Sequence, residues 1–166
     1  MKKYLKSIFL ASFIFFIDAF FFSQGGIALI TAVVVVFIMI PRSLFALFKK
    51  NRDLFKERMI RAGIYALCVT MVFIAIRLNN TLAANRSEML IQHCEAFKAT
   101  YGQYPSKLED LVPKYIPAVP NAKFSLSHSG FMYISRNDRH LLVYFVMPPF
   151  GRRVYHFESG RWTYMD

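Results

Sequence analysis

The sequence predicts an α+β membrane protein with three transmembrane helices and an antiparallel β-meander. Hydrophobic residues make up 55% of the 166 residues and charged residues only 19%. This composition is too apolar for a disordered chain and too poor in charge for an ordinary small soluble domain. The apolar residues form three runs between Tyr4 and Ile76, and after Asn79 the pattern is that of a globular protein. We therefore expect two unlike parts: residues 1–62 as a membrane hairpin with a basic connector, and residues 63–166 as a third span leading into a domain.

The first two runs predict a pair of spans joined by a tight turn. Residues 4–22 would extend about 28 Å as a helix, close to the hydrocarbon thickness of a bilayer. Lysines precede this run, but no small-residue cleavage site follows it, so we expect a retained anchor rather than a signal peptide. Residues 27–41 follow the turn at Ser23–Gly26, and Pro41 is expected to end or kink their helix. Because this run is short, a re-entrant hairpin is the alternative to a full span.

The distribution of charge predicts the orientation. The net charge is +11, of which +7 lies in residues 1–62. Seven basic residues lie before or at the start of the third run, residues 59–77, and are expected at the membrane surface: Arg42, Lys49, Lys50, Arg52, Lys56, Arg58 and Arg61. A short basic loop remains in the cytoplasm, which predicts a multi-pass bacterial inner-membrane protein with a cytoplasmic N-terminus and a periplasmic domain over residues 78–166. The charges flank apolar runs, and so a lipid bilayer rather than nucleic acid is the expected partner.

The connector over residues 42–61 has an apolar face as well as basic residues. Phe48, Phe55 and Met59 fall on one side of a helix. This favours a helix lying in the headgroup region, and the alternative is a plain loop that follows the positive-inside bias.

Asp18 is the only acidic residue inside the first run. An acid within a span is costly and usually faces protein. It is either a functional group, such as a proton site or the partner of another membrane subunit, or a structural acceptor near the end of the span.

No catalytic or metal-binding pattern is present. Cys68 and Cys94 would lie about 39 Å apart on one helix, which excludes a disulfide between them. The histidines lack zinc-site spacing, and nucleophile, zincin and phosphate-loop motifs are missing. We expect no enzyme, cofactor or metal. An unrecognised enzyme site would need a pocket around His140, His156 and Arg153.

The third span is expected to continue as an amphipathic helix to Tyr101, because no proline interrupts it and Gly102 follows as a stop signal. Ser106 and Glu109 fit a capping box for a short helix before Pro113. Alternating patterns then predict four or five strands in a meander: residues 123–127, 130–135, 140–147, 153–158 and 161–165.

The end of the long helix resembles a known family. Phe97-x-x-x-Tyr101-Gly-x-Tyr104-Pro105 followed by Leu108-x-x-Leu111-Val112-Pro113 is similar to type IV pilins and type II secretion pseudopilins over residues 63–166. The resemblance implies a helix that is half embedded in the membrane and half packed on an antiparallel sheet. It also implies architectural roles for Gly102, Tyr104, Pro105, Leu108, Leu111 and Pro113.

The chain departs from that family in its anchor. Pilins carry a cleaved basic leader and a glutamate five residues after the cut; here Gly63 could precede a cut, but residue 68 is Cys and two spans come first. We therefore expect a non-enzymatic docking or assembly module for an envelope machine of the pilus or secretion type, with an envelope protein as partner. The alternative is a membrane-anchored immunity protein against a toxin acting in the periplasm or membrane. Loops 127–130 and 147–153 are the expected contact points.

Overall fold

A computed structural model describes residues 2–136, 139–147 and 151–165, and divides the chain into one unit up to Arg77 and another from Leu78. The chain combines helices with a four-stranded antiparallel sheet, as the sequence predicts. Three helices are long and apolar enough to cross a membrane: α1 (Leu5–Phe22), α2 (Gly26–Phe48) and α3 (Arg52–Tyr101). A four-residue 3-10 helix, Leu108–Leu111, follows them.

Helix α2 is longer than predicted. We expected it to end or kink at Pro41, but it continues for 23 residues to Phe48. A π-helical stretch, Val35–Met39, precedes the proline, and Pro41 then falls in the first turn of the α-helical segment Ile40–Phe48. A first turn tolerates the missing N–H of proline, so helical structure resumes there. At about 34 Å the helix is long enough for a full crossing.

The connector does not form a separate helix. Residues up to Phe48 belong to α2, residues from Arg52 belong to α3, and the turn between them is Lys49–Asn51. Asn51 closes this turn, because its N–H bonds to the Ala46 carbonyl at 3.0 Å and its Oδ1 accepts the Leu54 N–H at 3.0 Å. The second bond caps the start of α3. The hypothesis of one interfacial helix over residues 42–61 is therefore wrong, because a turn divides these residues between α2 and α3.

Small residues bring the helices of the first unit together. Ala11, Ala28, Cys68 and Val72 form its buried cluster. The Cys68 thiol donates to the Ala11 carbonyl at 3.0 Å. Small side chains allow helix backbones to approach closely. Helices surrounded by lipid associate in this way, because contact between them removes no apolar surface from water.

The sheet of the second unit is a meander of β1 (Met132–Arg136), β2 (Arg139–Phe145), β3 (Arg152–His156) and β4 (Arg161–Met165), in that order. The predicted strand over residues 123–127 is absent. Its backbone is bound elsewhere: the Lys123 N–H bonds to the Ser129 carbonyl at 3.1 Å, and the Phe124 N–H bonds to the Asn79 side chain at 3.2 Å. Residues 137–138 and 148–150, which fall at or near the ends of the predicted strands, lie outside the described residues.

One face of this sheet packs in the core with α3. Residues opposite one another in register share a face, so Tyr133, Leu142, Tyr155 and Trp162 lie on the same side. Leu142 belongs to a buried cluster with Leu90, Cys94, Leu108, Leu111, Ile116 and Phe157. We call this side the inner face and the opposite side the outer face.

Candidate functional site: surfaces of the two units

The six residues predicted to have architectural roles lie at and just after the end of α3. Gly102 has φ +77°, and its N–H bonds to the Lys98 carbonyl at 2.8 Å, which terminates the helix. Tyr104 packs against Phe157 with ring centroids 5.0 Å apart, and the buried Pro105 accepts a 2.9 Å hydrogen bond from the Tyr133 hydroxyl. Leu108 and Leu111 are buried in the core, whereas Pro113 is exposed after a cis peptide bond.

The short helix after this motif is capped differently from the prediction. Asp110, not Glu109, supplies the capping carboxylate. Its Oδ2 accepts the Ser106 N–H at 3.0 Å, the Ser106 hydroxyl at 2.7 Å and the Lys107 N–H at 3.1 Å. The helix is a 3-10 helix that begins at Leu108. The carboxylate that caps it is therefore one residue later in the chain than the Glu109 of the predicted capping box. Hydrogen bonds led by that from the Ser106 hydroxyl hold the pKa of Asp110 below its usual value.

The structure does not assemble the site around His140, His156 and Arg153. Register pairs His156 with Leu141 and with Arg161 on the outer face, while Arg153 pairs with Tyr144 on the inner face. Arg153 lies over the Trp162 ring at 4.9 Å, and His156 Nε2 lies 2.9 Å from Thr163 Oγ1. An odd separation along β3 places these two side chains on opposite sides of the sheet.

His140 instead belongs to a groove of about 490 Å³ at the end of α3, together with Lys98, Gln103, Tyr104, Ser135 and Glu158 among others. His140 Nδ1 and its backbone N–H both lie 2.8 Å from Glu158 Oε1. Because a carboxylate only accepts hydrogen bonds, this contact places the imidazole proton on Nδ1. Desolvation is the largest single effect on Glu158 and opposes its ionisation. The hydrogen bonds from the His140 ring and from the backbone N–H groups of His140 and Glu158 together outweigh it and lower the pKa of the carboxyl.

The tyrosine in this groove also serves to hold the fold. Tyr104 donates to Glu95 Oε1 at 2.8 Å and stacks on His140 with ring centroids 4.9 Å apart. Burial, and then the bond to Glu95, raise the pKa of Tyr104. Lys98 lies over the same ring at 4.2 Å. His140 thus bonds to Glu158 and Tyr104 to Glu95. Among the described residues no group of three His, Cys, Asp or Glu side chains could hold a metal ion.

The outer face of the sheet combines exposed apolar side chains with arginine. Met132, Ile134 and Met165 are 47%, 37% and 53% exposed. Four exposed arginines share this face by register: Arg136, Arg139, Arg152 and Arg161. The sequence analysis did not predict this cluster, although the alternation along the strands was a signal for it. Each arginine either lies an even number of residues from an outer-face apolar residue of its own strand or lies directly opposite one on the next strand.

The predicted contact loops are only partly described. In residues 127–130, Ser127 and Ser129 are half-buried, and His128, which has φ +53°, is exposed. In the second loop, residues 148–150 lie outside the described residues, and Met147 is exposed. Ser127 Oγ lies 2.5 Å from His128 Nδ1.

A loop before the sheet is held against α3 by polar contacts that the sequence did not indicate. We call residues 121–129 the 121–129 loop. The Asn79 side-chain amide donates to the Phe124 carbonyl and accepts the Phe124 N–H, both at 3.2 Å. Arg86 donates to the Asn121 carbonyl at 2.6 Å and lies over the Phe124 ring at 5.0 Å.

Lys123, in the same loop, is buried. Its Nζ donates to the Val146 carbonyl at 2.8 Å, and its side chain is among the largest fully buried ones in the described chain. Burial lowers the pKa of Lys123 to about 8, since the charged form loses its hydration.

In the first unit, the Asp18 carboxylate is fully buried and accepts backbone hydrogen bonds. Oδ1 accepts the Gly25 N–H at 3.0 Å and Oδ2 accepts the Ala28 N–H at 2.7 Å. Gly25 directly precedes α2 and Ala28 lies in its first turn, so neither N–H group has a partner within that helix. Of the two interpretations of Asp18, this geometry is that of a structural acceptor.

The basic residues of the connector are divided between the two helix ends. Arg58 donates to the Arg42 carbonyl at 2.7 Å, and both residues line an open cleft of about 690 Å³ with Lys49 and Phe45. Arg61 pairs with Glu57 at 2.7 Å, and Lys3 also pairs with Glu57. Lys50, Arg52 and Lys56 are exposed. The cleft gathers three basic side chains that could receive an anionic headgroup.

Comparison of the chain with protein-family models, curated proteins and solved structures finds no match.

Proposed function

We propose that this chain is a multi-pass bacterial inner-membrane protein that presents a pilin-like periplasmic domain as a docking module for an envelope machine. Three apolar helices of sufficient length support the anchor. The basic residues at the turn between α2 and α3 support a cytoplasmic position for that turn. A continuous α3, a glycine stop and a four-stranded meander support the pilin-like domain.

The outer face of the sheet carries the docking proposal. Large apolar side chains exposed beside arginine are typical of protein interfaces, in which arginine and methionine are enriched and lysine is depleted. No lysine lies on the four described strands, whereas each carries at least one arginine. The partner surface that fits this face is apolar at its centre and acidic around it.

Topology is tested with reporter fusions in the bacterial envelope. At a fusion point after Phe48, only a reporter that is active in the cytoplasm should show activity. At a fusion point after Asp166, only a reporter that is active in the periplasm should do so. The reverse pattern would overturn the orientation and, with it, the proposed location of the domain.

Docking is tested by site-specific photocrosslinking in intact cells. A crosslinker at Ile134 should capture an envelope protein, whereas one at Gln92, exposed on α3, should not. Charge reversal of Arg139 and Arg152 to Glu should abolish the Ile134 product, and the same reversal of the exposed Lys107 should leave it unchanged. A product that survives reversal of both arginines would contradict an acidic partner on this face.

A further inference from the structure

Two large apolar side chains of the 121–129 loop are exposed. Phe124 is 63% and Leu126 is 81% exposed. The loop contains no acidic residue, and Lys123 and His128 are its only basic or titratable side chains. Exposing such side chains to water forfeits the transfer free energy of about 2 kcal/mol that burial of each would give. A loop that holds them outward therefore favours an apolar surrounding.

The loop is fixed at a known position along α3. Both backbone groups of Phe124 bond to the side chain of Asn79, and the neighbouring Asn121 bonds to Arg86. Asn79 is itself buried, so these bonds are shielded from competing water. Phe124 therefore lies beside the turn of α3 that contains Asn79.

Asn79 follows the apolar run of α3 almost directly. It is three residues after Ile76, which corresponds to about 4.5 Å along a helix. The polar layer on each side of a bilayer is about 5–8 Å thick. If the apolar run of α3 crosses the membrane, the turn containing Asn79 falls within this layer.

We infer that the 121–129 loop is a second membrane contact, with Phe124 and Leu126 inserted into the interfacial layer of the bilayer that α3 crosses. The inference rests on the proposed membrane location. An aromatic ring and a large aliphatic side chain without acidic neighbours suit this layer. Arg86, whose guanidinium lies over the Phe124 ring, adds a cation beside the loop, which favours the anionic phosphate groups of lipid. The loop would thereby fix the domain on the bilayer surface at a point away from the helix axis.

The inference is tested by fluorescence quenching in the full-length protein. A bimane label on Leu126→Cys is read in vesicles of phosphatidylethanolamine and phosphatidylglycerol that contain lipids with a nitroxide near the headgroup. Cys68 and Cys94 are buried, and the unsubstituted protein measures their background labelling. We expect loss of fluorescence with the headgroup nitroxide and protection from a water-soluble quencher.

Two further positions separate the possible failures. Ala99→Cys, exposed on α3 about 30 Å beyond Asn79, should be quenched only from water. Leu67→Cys, exposed within the apolar run, should be quenched by a nitroxide deep in the acyl chain. Quenching at residue 67 but not at residue 126 overturns the loop contact and leaves the span intact. Absence of lipid quenching at both positions overturns the membrane proposal itself, and a residue 126 label shielded from lipid and water alike indicates a protein partner instead.

Discussion

Asp18 and Ala28 are joined by a 2.7 Å hydrogen bond in which the buried carboxylate Oδ2 accepts a backbone N–H at the start of α2. The other oxygen accepts the Gly25 N–H, and Gly25 has φ +74°. A charged residue that would be costly in an apolar segment thus satisfies two of the donors that the helix start leaves unpaired. The tight turn between α1 and α2 is therefore closed by a side chain from the preceding helix.

Replacing Asp18 should loosen this turn. Asp18→Leu leaves two buried N–H groups without acceptors and should cost about 2 kcal/mol of stability. Asp18→Asn keeps one amide oxygen and should cost less. Thermal unfolding followed by circular dichroism in detergent measures both, with Ser12→Ala, an exposed position on α1, as the control. Equal stability of Asp18→Leu and the unsubstituted protein would show that the carboxylate has no such role.

Lys123 should make the stability of the second unit depend on pH. Its pKa falls from 10.5 to about 8 on folding, so between these values the unfolded state binds more protons than the folded state. Stability should therefore rise as pH increases from about 8 to 10.5, by roughly 3 kcal/mol, and should be flat with respect to this group below pH 8. The fluorescence of Trp162, the chain's single tryptophan, reports unfolding because its ring packs 5.1 Å from Tyr155.

The variant Lys123→Met should remove that rise. The matched change Lys107→Met, at an exposed position, should retain it. A rise that persists in Lys123→Met would assign the pH dependence to another group.

Asn79 should control the opening of the 121–129 loop. Asn79→Ala removes two hydrogen bonds to Phe124, at a cost of about 2 kcal/mol, which corresponds to about a thirtyfold larger open fraction. Chymotrypsin should then cleave after Phe124 or Leu126 much faster than in the unsubstituted protein. Asn80→Ala is the control, since Asn80 Oδ1 has no hydrogen-bond partner; similar cleavage of both variants would exclude a specific role for Asn79.

Gly102 should be required for its backbone conformation rather than for space. A Cβ added there would meet no atom within 4 Å, yet the residue has φ +77°. Gly102→Ala should therefore destabilise the domain by about 1 kcal/mol through backbone strain alone. Gly130→Ala adds a Cβ into equally open space without a positive φ and should be nearly neutral in the same denaturant titration.

Periodicity predicted the elements whose pattern is local. The continuous helix through Tyr101 and the meander are confirmed, because no proline interrupts the former and alternating residues with short turns define the latter. The strand over residues 123–127 was wrong because an amide from α3, distant in sequence, takes its backbone hydrogen bonds. The helix beyond Pro41 was missed because a π-helical stretch shifts the proline into a first turn.

The candidate surfaces depended on strand register and loop packing, which the sequence alone does not specify. An enzyme site would have needed His140, His156 and Arg153 in one pocket, but sheet register places His156 on the outer face and the other two on the inner face. The burial of Lys123 and the exposure of Leu126 depend on how the 121–129 loop packs, and no local pattern records this. Asp18 stood out as an anomaly in the sequence, while its partners required the geometry of the turn.

The order β1-β2-β3-β4 bears on how the domain folds. Each strand pairs with the next one along the chain, so the whole sheet can assemble from successive hairpins with little loss of loop-closure entropy. The bonds between Asn79 and Phe124 join residues 45 positions apart and must close a much longer loop. We therefore expect the sheet to form early and the 121–129 loop to dock on the helix late, so that destabilising the loop changes the unfolding rate more than the folding rate.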